Sequence, residues 1–304
     1  MKKIIIVFSG IILLFLLLTV ILSNHSDDPD EVRDFRIAYQ KDYRIYAVPI
    51  PDSIAFAGEL VPLPRQDLRE RLDRELLITT YQHSQTMVAL KRSKRFFETI
   101  EPILKKFHIP DDFKYLAVAE SNLSNAISPS NAVGVWQFLK ATGIKYGLEI
   151  HEEVDERYHL EKSTEAACKY LLDSFRMFGS WTSAAASFNR GQQGFSDALN
   201  SQDEASFYDL YLNEETSRYV FRILAIKTVF SNPKAYGFYL TDEDYYPTVP
   251  VSYLSVDSSV TDWVRFSKQQ GITYLTLREH NPWIRKMALN NKNRKTYGIK
   301  IPEK

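Results

Sequence analysis

The chain has 304 residues, 44% hydrophobic, 25% charged and 13% aromatic, with 38 Lys and Arg set against 38 Asp and Glu. That composition excludes a collagen-like, low-complexity or wholly disordered chain, and the balanced charge lacks the basic excess of a nucleic-acid binder, so no nucleic acid is expected as a partner. Cys168 is the single cysteine, which excludes an intrachain disulfide framework and a Cys-rich zinc site; the length suffices for a sizeable core and, at about 150 residues per domain, for about two domains.

Met1-Lys2-Lys3 leads into an apolar run from Ile4 to Leu22, interrupted by Ser9, Gly10 and Thr19. Crossing a bilayer core takes roughly 20 apolar residues, close to the length of this run. Lysines before it and Asp27, Asp28, Asp30 and Glu31 after it favour a cytoplasmic N-terminus, with the rest of the chain beyond the inner membrane. A cleaved signal peptide is the competing reading. The following Ser-Asn-His-Ser offers no Ala-x-Ala site and no cysteine for lipidation, so residues 1–22 read as a signal anchor in preference to a signal peptide, with membrane contact through residues 4–22. Residues 23–54 form a linker: an acidic stretch to residue 33, then a strand-like segment rich in proline (Pro49, Pro51).

From Asp67 the pattern turns helical, with Leu68, Leu72, Leu76 and Leu77 at helical spacing. A second helix is predicted over Arg92–Phe107, on the stripe Phe96, Phe97, Ile100, Ile103 and Leu104. Ile109-Pro-Asp-Asp112 then reads as a stop and a fresh start with acids in the first turn. Further helical patterns cover 111–120, 134–143, 163–178, 181–189 and 215–230, with Gly179 as a C-cap. Tyr245-Tyr-Pro-Thr-Val-Pro marks a boundary. Beyond it, Ser258 or Ser259 is placed to cap a helix ending at Gly271, a second helix runs to about His280, and strand-like pieces flank them at 249–254 and 297–302.

One carboxylate stands in an unusual position. Phe113, Leu116, Ala117 and Glu120 share a helix face, so Glu120 lies on the apolar stripe just before Ser-Asn-Leu-Ser-Asn ends the helix. Desolvation and the negative end of the helix dipole both raise a carboxyl pKa, and a protonated carboxyl near neutrality is what a general acid requires. The plainer reading is a Glu that bends to solvent or pairs with a nearby Arg or Lys. Asp111 and Asp112 read as helix caps and Glu149, Glu152 and Glu153 as solvated, which leaves Glu120 without a second acid in a comparable setting. Gln137, an amide among Val135, Trp136, Phe138 and Leu139, and Asn189, at the end of a small-residue helix, suit the polar groups of a sugar, although each alone is more often a core or cap residue. Cys168 reads as core, and the six histidines show no His-Glu-x-x-His spacing, so no metal is expected.

Taken together and in order, four segments resemble the motifs of the lytic transglycosylases of the goose-lysozyme-like glycoside hydrolase superfamily, and look most similar to the membrane-bound D type. They are Glu120-Ser121, Gly134-Val-Trp-Gln-Phe138, Ser187-Phe-Asn-Arg-Gly191 and Glu215-Thr-Ser-Arg-Tyr-Val220. Phe56-Ala-Gly-Glu-Leu-Val-Pro-Leu, Asp155-Glu-Arg and Lys162-Ser-Thr-Glu-Ala-Ala extend the likeness over roughly residues 55–245. Phe188 stands where the family has tyrosine, and Arg190 where it has a small residue. The resemblance implies a mainly α fold: a lysozyme-like, SLT-type helical catalytic domain over 55–245 (core 98–232), behind an N-terminal membrane helix. It implies that Glu120 is the catalytic acid, that Ser121 orients it, that Gln137 and Asn189 hold sugar polar groups, that Phe188 forms a cleft wall and that Tyr219 places its hydroxyl near the acid. No cofactor is implied. The substrate would be peptidoglycan glycan strands in the cell envelope, with the chain periplasmic, anchored in the inner membrane or secreted across it. Cleavage of the β-1,4 bond between N-acetylmuramic acid and N-acetylglucosamine would leave 1,6-anhydromuramoyl ends. A muramidase-type hydrolase on the same bond and a non-catalytic wall-binding or scaffold protein are the alternatives. Residues 246–304 resemble a degenerate LysM module in their strand-helix-helix-strand order. Val256-Asp257 replaces the usual Gly-Asp, so a structural cap on the catalytic domain is an equal reading.

Overall fold

The computed structural model describes residues 44–303, together with positions 37 and 41. The apolar run 4–22 lies outside the described residues, and among the described residues no helix is long and apolar enough to cross a membrane. The architecture is mainly helical. A short hairpin, β1 (Ala55–Phe56) with β2 (Glu59–Leu60), turns through Ala57 and Gly58, both at positive φ. The helices α1 (Gln66–Tyr81), α2 (His83–Lys106), α3 (Phe113–Ser121), α4 (Lys140–Lys145), α5 (Leu160–Phe178), α6 (Trp181–Arg190), α7 (Gln192–Gln202) and α8 (Glu214–Ser231) follow.

α8 organises the core. Tyr219, Val220, Phe221, Ile223, Leu224, Ala225, Ile226 and Val229 are all buried, which covers every side of the helix, so it threads the interior where an amphipathic helix would lie on the surface. α6 is built the same way from small residues: Thr182 through Ser187 are buried, and Ala184, Ala185 and Ala186 let neighbouring backbones approach closely. Its N-terminus is capped from a distance. The Glu59 carboxylate accepts from the Trp181 and Thr182 amides at 2.6 and 2.9 Å and from both the Ser180 and Thr182 hydroxyls. These bonds outweigh the cost of burial and hold the Glu59 carboxyl below its ordinary pKa.

Several expectations need correction. α2 starts at His83, well before Arg92. Residues 134–138 are a tight turn, and only Lys140–Lys145 is helical there, because Gly134 and Gln137 both take positive φ. The described stretch 44–54 carries no strand. Asp112 makes no capping bond; it accepts instead from the Ala57 amide and the Lys227 ammonium, both at 2.7 Å, tying the hairpin to α8. α7 had no counterpart in the sequence reading.

In the C-terminal segment β3 (Val251–Val256) pairs antiparallel with β4 (Tyr297–Pro302) around α9 (Trp263–Gln269) and α10 (Tyr274–His280). The strand-helix-helix-strand order holds, but the cap of α9 is Asp262, whose carboxylate accepts from the Val264 amide at 2.7 Å, and not Ser258 or Ser259. This segment is fused to the helical body. Trp263, Leu277, Trp283, Ile284 and Ile299 share one core with Val133, Val154 and Tyr158. Backbone bonds cross the seam from Asp155 to Trp283 and from Arg285 to Glu153. Glu149 and Glu153, expected to be solvated, are seam residues: Glu149 accepts from the Tyr297 hydroxyl at 2.9 Å, and Glu153 from the Asn290 amide at 2.9 Å. Against the cost of burial, His159 and Lys300 hold the Glu161 carboxyl far below the ordinary carboxylate range.

Candidate active site

Glu120 sits at the last turn of α3. The helix stops there because Asn122 and Leu123 both adopt left-handed backbone, at φ 49° and 54°. At the far end, Phe113 is wedged edge-on between Phe56 and Trp181, with ring centroids 5.1 and 5.4 Å away, which fixes the direction in which α3 points. The Glu120 side chain is half-buried, and the Tyr219 hydroxyl of α8 donates to its Oε1. Burial pushes the Glu120 carboxyl up to about 7; the Tyr219 hydroxyl and the Arg222 guanidinium oppose the rise, and the Glu215 carboxylate adds to it. Tyr219 is itself buried, and burial together with the facing carboxyl lifts its phenol well above the ordinary value. Glu120 can therefore hold a proton near neutral pH, where an ordinary carboxyl would be ionised. Tyr219→Phe removes a contact that favours the ionised form, so the Glu120 pKa should rise above 7, by about one unit. A 13C-carboxyl NMR titration of the variant checks this, and a fall would refute the geometry.

The turn after α3 is bolted to the acid. The Ser121 hydroxyl donates to the Val135 carbonyl at 2.9 Å, which ties the end of α3 to the 127–138 loop, and it makes no bond to Glu120. Within that loop Gly134 approaches the Arg157 backbone so closely that a Cβ would lie 2.1 Å from the Arg157 carbonyl oxygen. Arg157 binds Asp155 through two parallel contacts of 2.9 and 2.7 Å, and its Nη1 donates to the carbonyls of Asn131 and Phe138. This buried pair is fully hydrogen-bonded, the condition under which a buried ion pair is tolerated. Gln137 turns its amide nitrogen inward, donating to Gly134 at 2.7 Å and Ala126 at 3.0 Å, which leaves its oxygen without a partner among the described residues.

Asn189, at the end of α6, is held at both ends of its amide: Nδ2 donates to Glu215 at 3.1 Å and Oδ1 accepts from Thr216 at 2.9 Å. Phe188 packs edge-on against Trp136, Phe138 and Tyr170 and is half-buried. Trp136 is fully buried and donates its indole N–H to Thr164, so it is a core residue. Arg190 is exposed and donates to the Gly194 carbonyl at 2.9 Å. Cys168 is buried with its thiol pushed up to about 12, chiefly by burial, as fits a core residue.

The structure thus brings Glu120 and Tyr219 into direct contact, with Ser121 and Gln137 in the adjoining turn and Asn189 joined to the start of α8. The sequence reading missed Glu215 as a second acid of this neighbourhood. It is exposed, and its signal was its place one helical turn before Tyr219 on the same face of α8.

Residues 99–210 match the Transglycosylase SLT domain family, and residues 252–304 match the Soluble lytic transglycosylase C-terminal LysM-like domain family. The chain is also 28% identical over 250 residues to the membrane-bound lytic murein transglycosylase D of Escherichia coli strain K12, an alignment covering 79% of this chain and 54% of the relative. The protein of the same name from Escherichia coli O6:H1 matches to the same extent. The chain spans about half the length of these curated relatives. It therefore carries a transglycosylase SLT domain, which holds Glu120 and its turn, followed by a LysM-like C-terminal domain.

Proposed function

We propose that this chain is a peptidoglycan lytic transglycosylase. The observation that supports the reading most directly is Glu120 itself: a half-buried carboxyl at the lip of a stopped helix, raised to about 7 and held by the Tyr219 hydroxyl. A carboxyl near neutrality can give a proton in one step and take one back in the next, which is the requirement of a site with one acid–base residue. Glu120 protonates the β-1,4 glycosidic oxygen between N-acetylmuramic acid and N-acetylglucosamine, and the substrate's own N-acetyl group stabilises the developing cation. The Glu120 carboxylate then removes the proton from the muramoyl C6 hydroxyl, which closes on C1 to form the 1,6-anhydro ring, and no water is consumed.

In this reading Tyr219 fixes the rotamer of Glu120 and helps it ionise for the second step. Ser121 acts through the Val135 carbonyl, keeping the acid and the turn in register. The free oxygen of Gln137 and the accessible edge of Phe188 face the sugar, and Asn189 orients Glu215, which adds to the rise that burial gives the Glu120 carboxyl. The murein name of the curated relatives accords with this substrate, and their description as membrane-bound accords with an anchor in residues 4–22 and a place in the cell envelope.

Digestion of purified sacculi followed by mass spectrometry tests the reaction class. Anhydro ends are expected. Products heavier by one water, with reducing ends, would assign a muramidase-type hydrolase, and binding without turnover would assign a wall-binding protein.

A further inference from the structure

The interface of α1 and α8 buries an acid that the mechanism above does not use. Glu75 is 1% exposed, a depth at which a carboxylate is found only with partners. Its Oε1 accepts from Arg218 Nε at 2.6 Å, while its Oε2, with no hydrogen bond of its own, lies 3.9 Å from Arg222 Nε. Arg218 also reaches Glu214 at 3.4 Å. Arg222 has, among the described residues, only Glu75 as an ion-pair partner. On α8, Arg218 and Arg222 are four residues apart, and Tyr219 and Arg222 are three apart. Arg222 thus stands one helical turn beyond the residue whose hydroxyl touches Glu120, while the Glu75 carboxylate on α1 binds Arg218 and lies within ion-pair distance of Arg222.

Arg222 lies on α8 three residues after Tyr219, whose hydroxyl holds Glu120, and from there its charge favours the ionised form of that carboxyl. Two carboxylates, one from α1 and one from α3, thus compete for a single cation. We propose that Glu75 is a positioning residue for the acid site: by binding Arg218 and drawing Arg222 toward α1, it keeps the Arg222 guanidinium off Glu120 and leaves that carboxyl free to carry a proton. The inference rests on the reading of Glu120 as the general acid. The other charged or titratable groups facing this corner have settled partners. Tyr219 is on Glu120, Glu215 is on Asn189, Arg92 of α2 donates to the Asn122 carbonyl at 3.0 Å, and Asp155 and Arg157 behind the turn are closed on each other.

The test uses the full chain with 13C-labelled Glu, the E120Q variant to assign the Glu120 signal, and the variants E75Q, R222M and E75Q/R222M. In E75Q the released Arg222 turns to Glu120, and the Glu120 pKa should fall by about one unit. In R222M it should rise, and the double variant should behave as R222M does. The alkaline limb of kcat/KM on glycan strands should move the same way, to lower pH in E75Q and to higher pH in R222M. An unchanged or raised pKa in E75Q overturns the proposal. So does a lowering that survives in the double variant, since it would come from the lost charge of Glu75 alone. Should E75Q fail to fold, R222M, which leaves Arg218 on Glu75, decides: a Glu120 pKa that does not rise overturns the proposal. The NMR titration reads Glu120 without turnover. Expected shifts with no anhydro products would refute the proposed activity while upholding the coupling of Glu75 and Arg222 to Glu120, and normal products with no shifts would overturn that coupling and leave the activity standing.

Discussion

Glu120→Gln is expected to lower the release of anhydromuropeptides from purified peptidoglycan by about three orders of magnitude, the middle of the range of a general acid–base contribution. The substitution keeps the shape of the side chain and an oxygen for the Tyr219 hydroxyl, but gives up the transferable proton. It also removes a carboxylate whose charged form burial disfavours, so the folded state should not suffer. The melting temperature should be unchanged or raised. The pair of measurements is what makes the result informative: activity lost with stability kept isolates chemistry from packing, and activity retained would rule out Glu120 as the acid.

Gly134→Ala should have the largest effect on stability, a loss of about 3 kcal/mol or more in denaturant unfolding. Gly134 has φ +83°, and an added Cβ would meet the Arg157 carbonyl oxygen at 2.1 Å and its carbon at 3.0 Å. Arg157 cannot yield easily, because Asp155 and the carbonyls of Asn131 and Phe138 hold it. The loop must yield instead, and with it the Val135 carbonyl that receives the Ser121 hydroxyl, so activity should fall beyond the loss of folded protein. Gly58→Ala supplies the comparison: φ is +84° but nothing lies within 4 Å, so strain alone should cost about 1–2 kcal/mol. Equal losses at the two positions would show that the close approach to Arg157 is unimportant.

How much of this was legible in the sequence depends on the kind of contact. Local periodic features came through well. The apolar stripe of α3 places Glu120 toward the interior, and the order of the four motifs singles out Tyr219, Gln137, Phe188 and Asn189, of which Tyr219 is the one in contact with Glu120. Contacts between a side chain and a distant backbone left no periodic trace. Asp112 looked like a helix cap because it precedes α3, yet its partners are Ala57 and Lys227, 55 and 115 residues away. Glu75 lies among the charges of Arg-Glu-Arg-Leu-Asp-Arg-Glu, yet it falls seven residues after Leu68 and three after Leu72, on the buried stripe of α1; that spacing marks it as buried, while its partners on α8 follow only from packing. The 134–138 turn was misread as helix because Val-Trp-Gln-Phe-Leu has helical hydrophobicity, while its backbone follows the close approach of Gly134 to Arg157.

Val133 and Val135 stand on either side of Gly134 but belong to different cores: Val135 packs with the helical body, and Val133 with the C-terminal domain. A truncation removing residues 251–303 would strip cover from Val133, Val154 and Tyr158, each worth about 1.5–3 kcal/mol of burial, against a net stability for a domain of about 5–15 kcal/mol. The C-terminal domain is thus a buttress for the turn under Glu120, so on the proposed function its removal should lower activity even toward short soluble glycans.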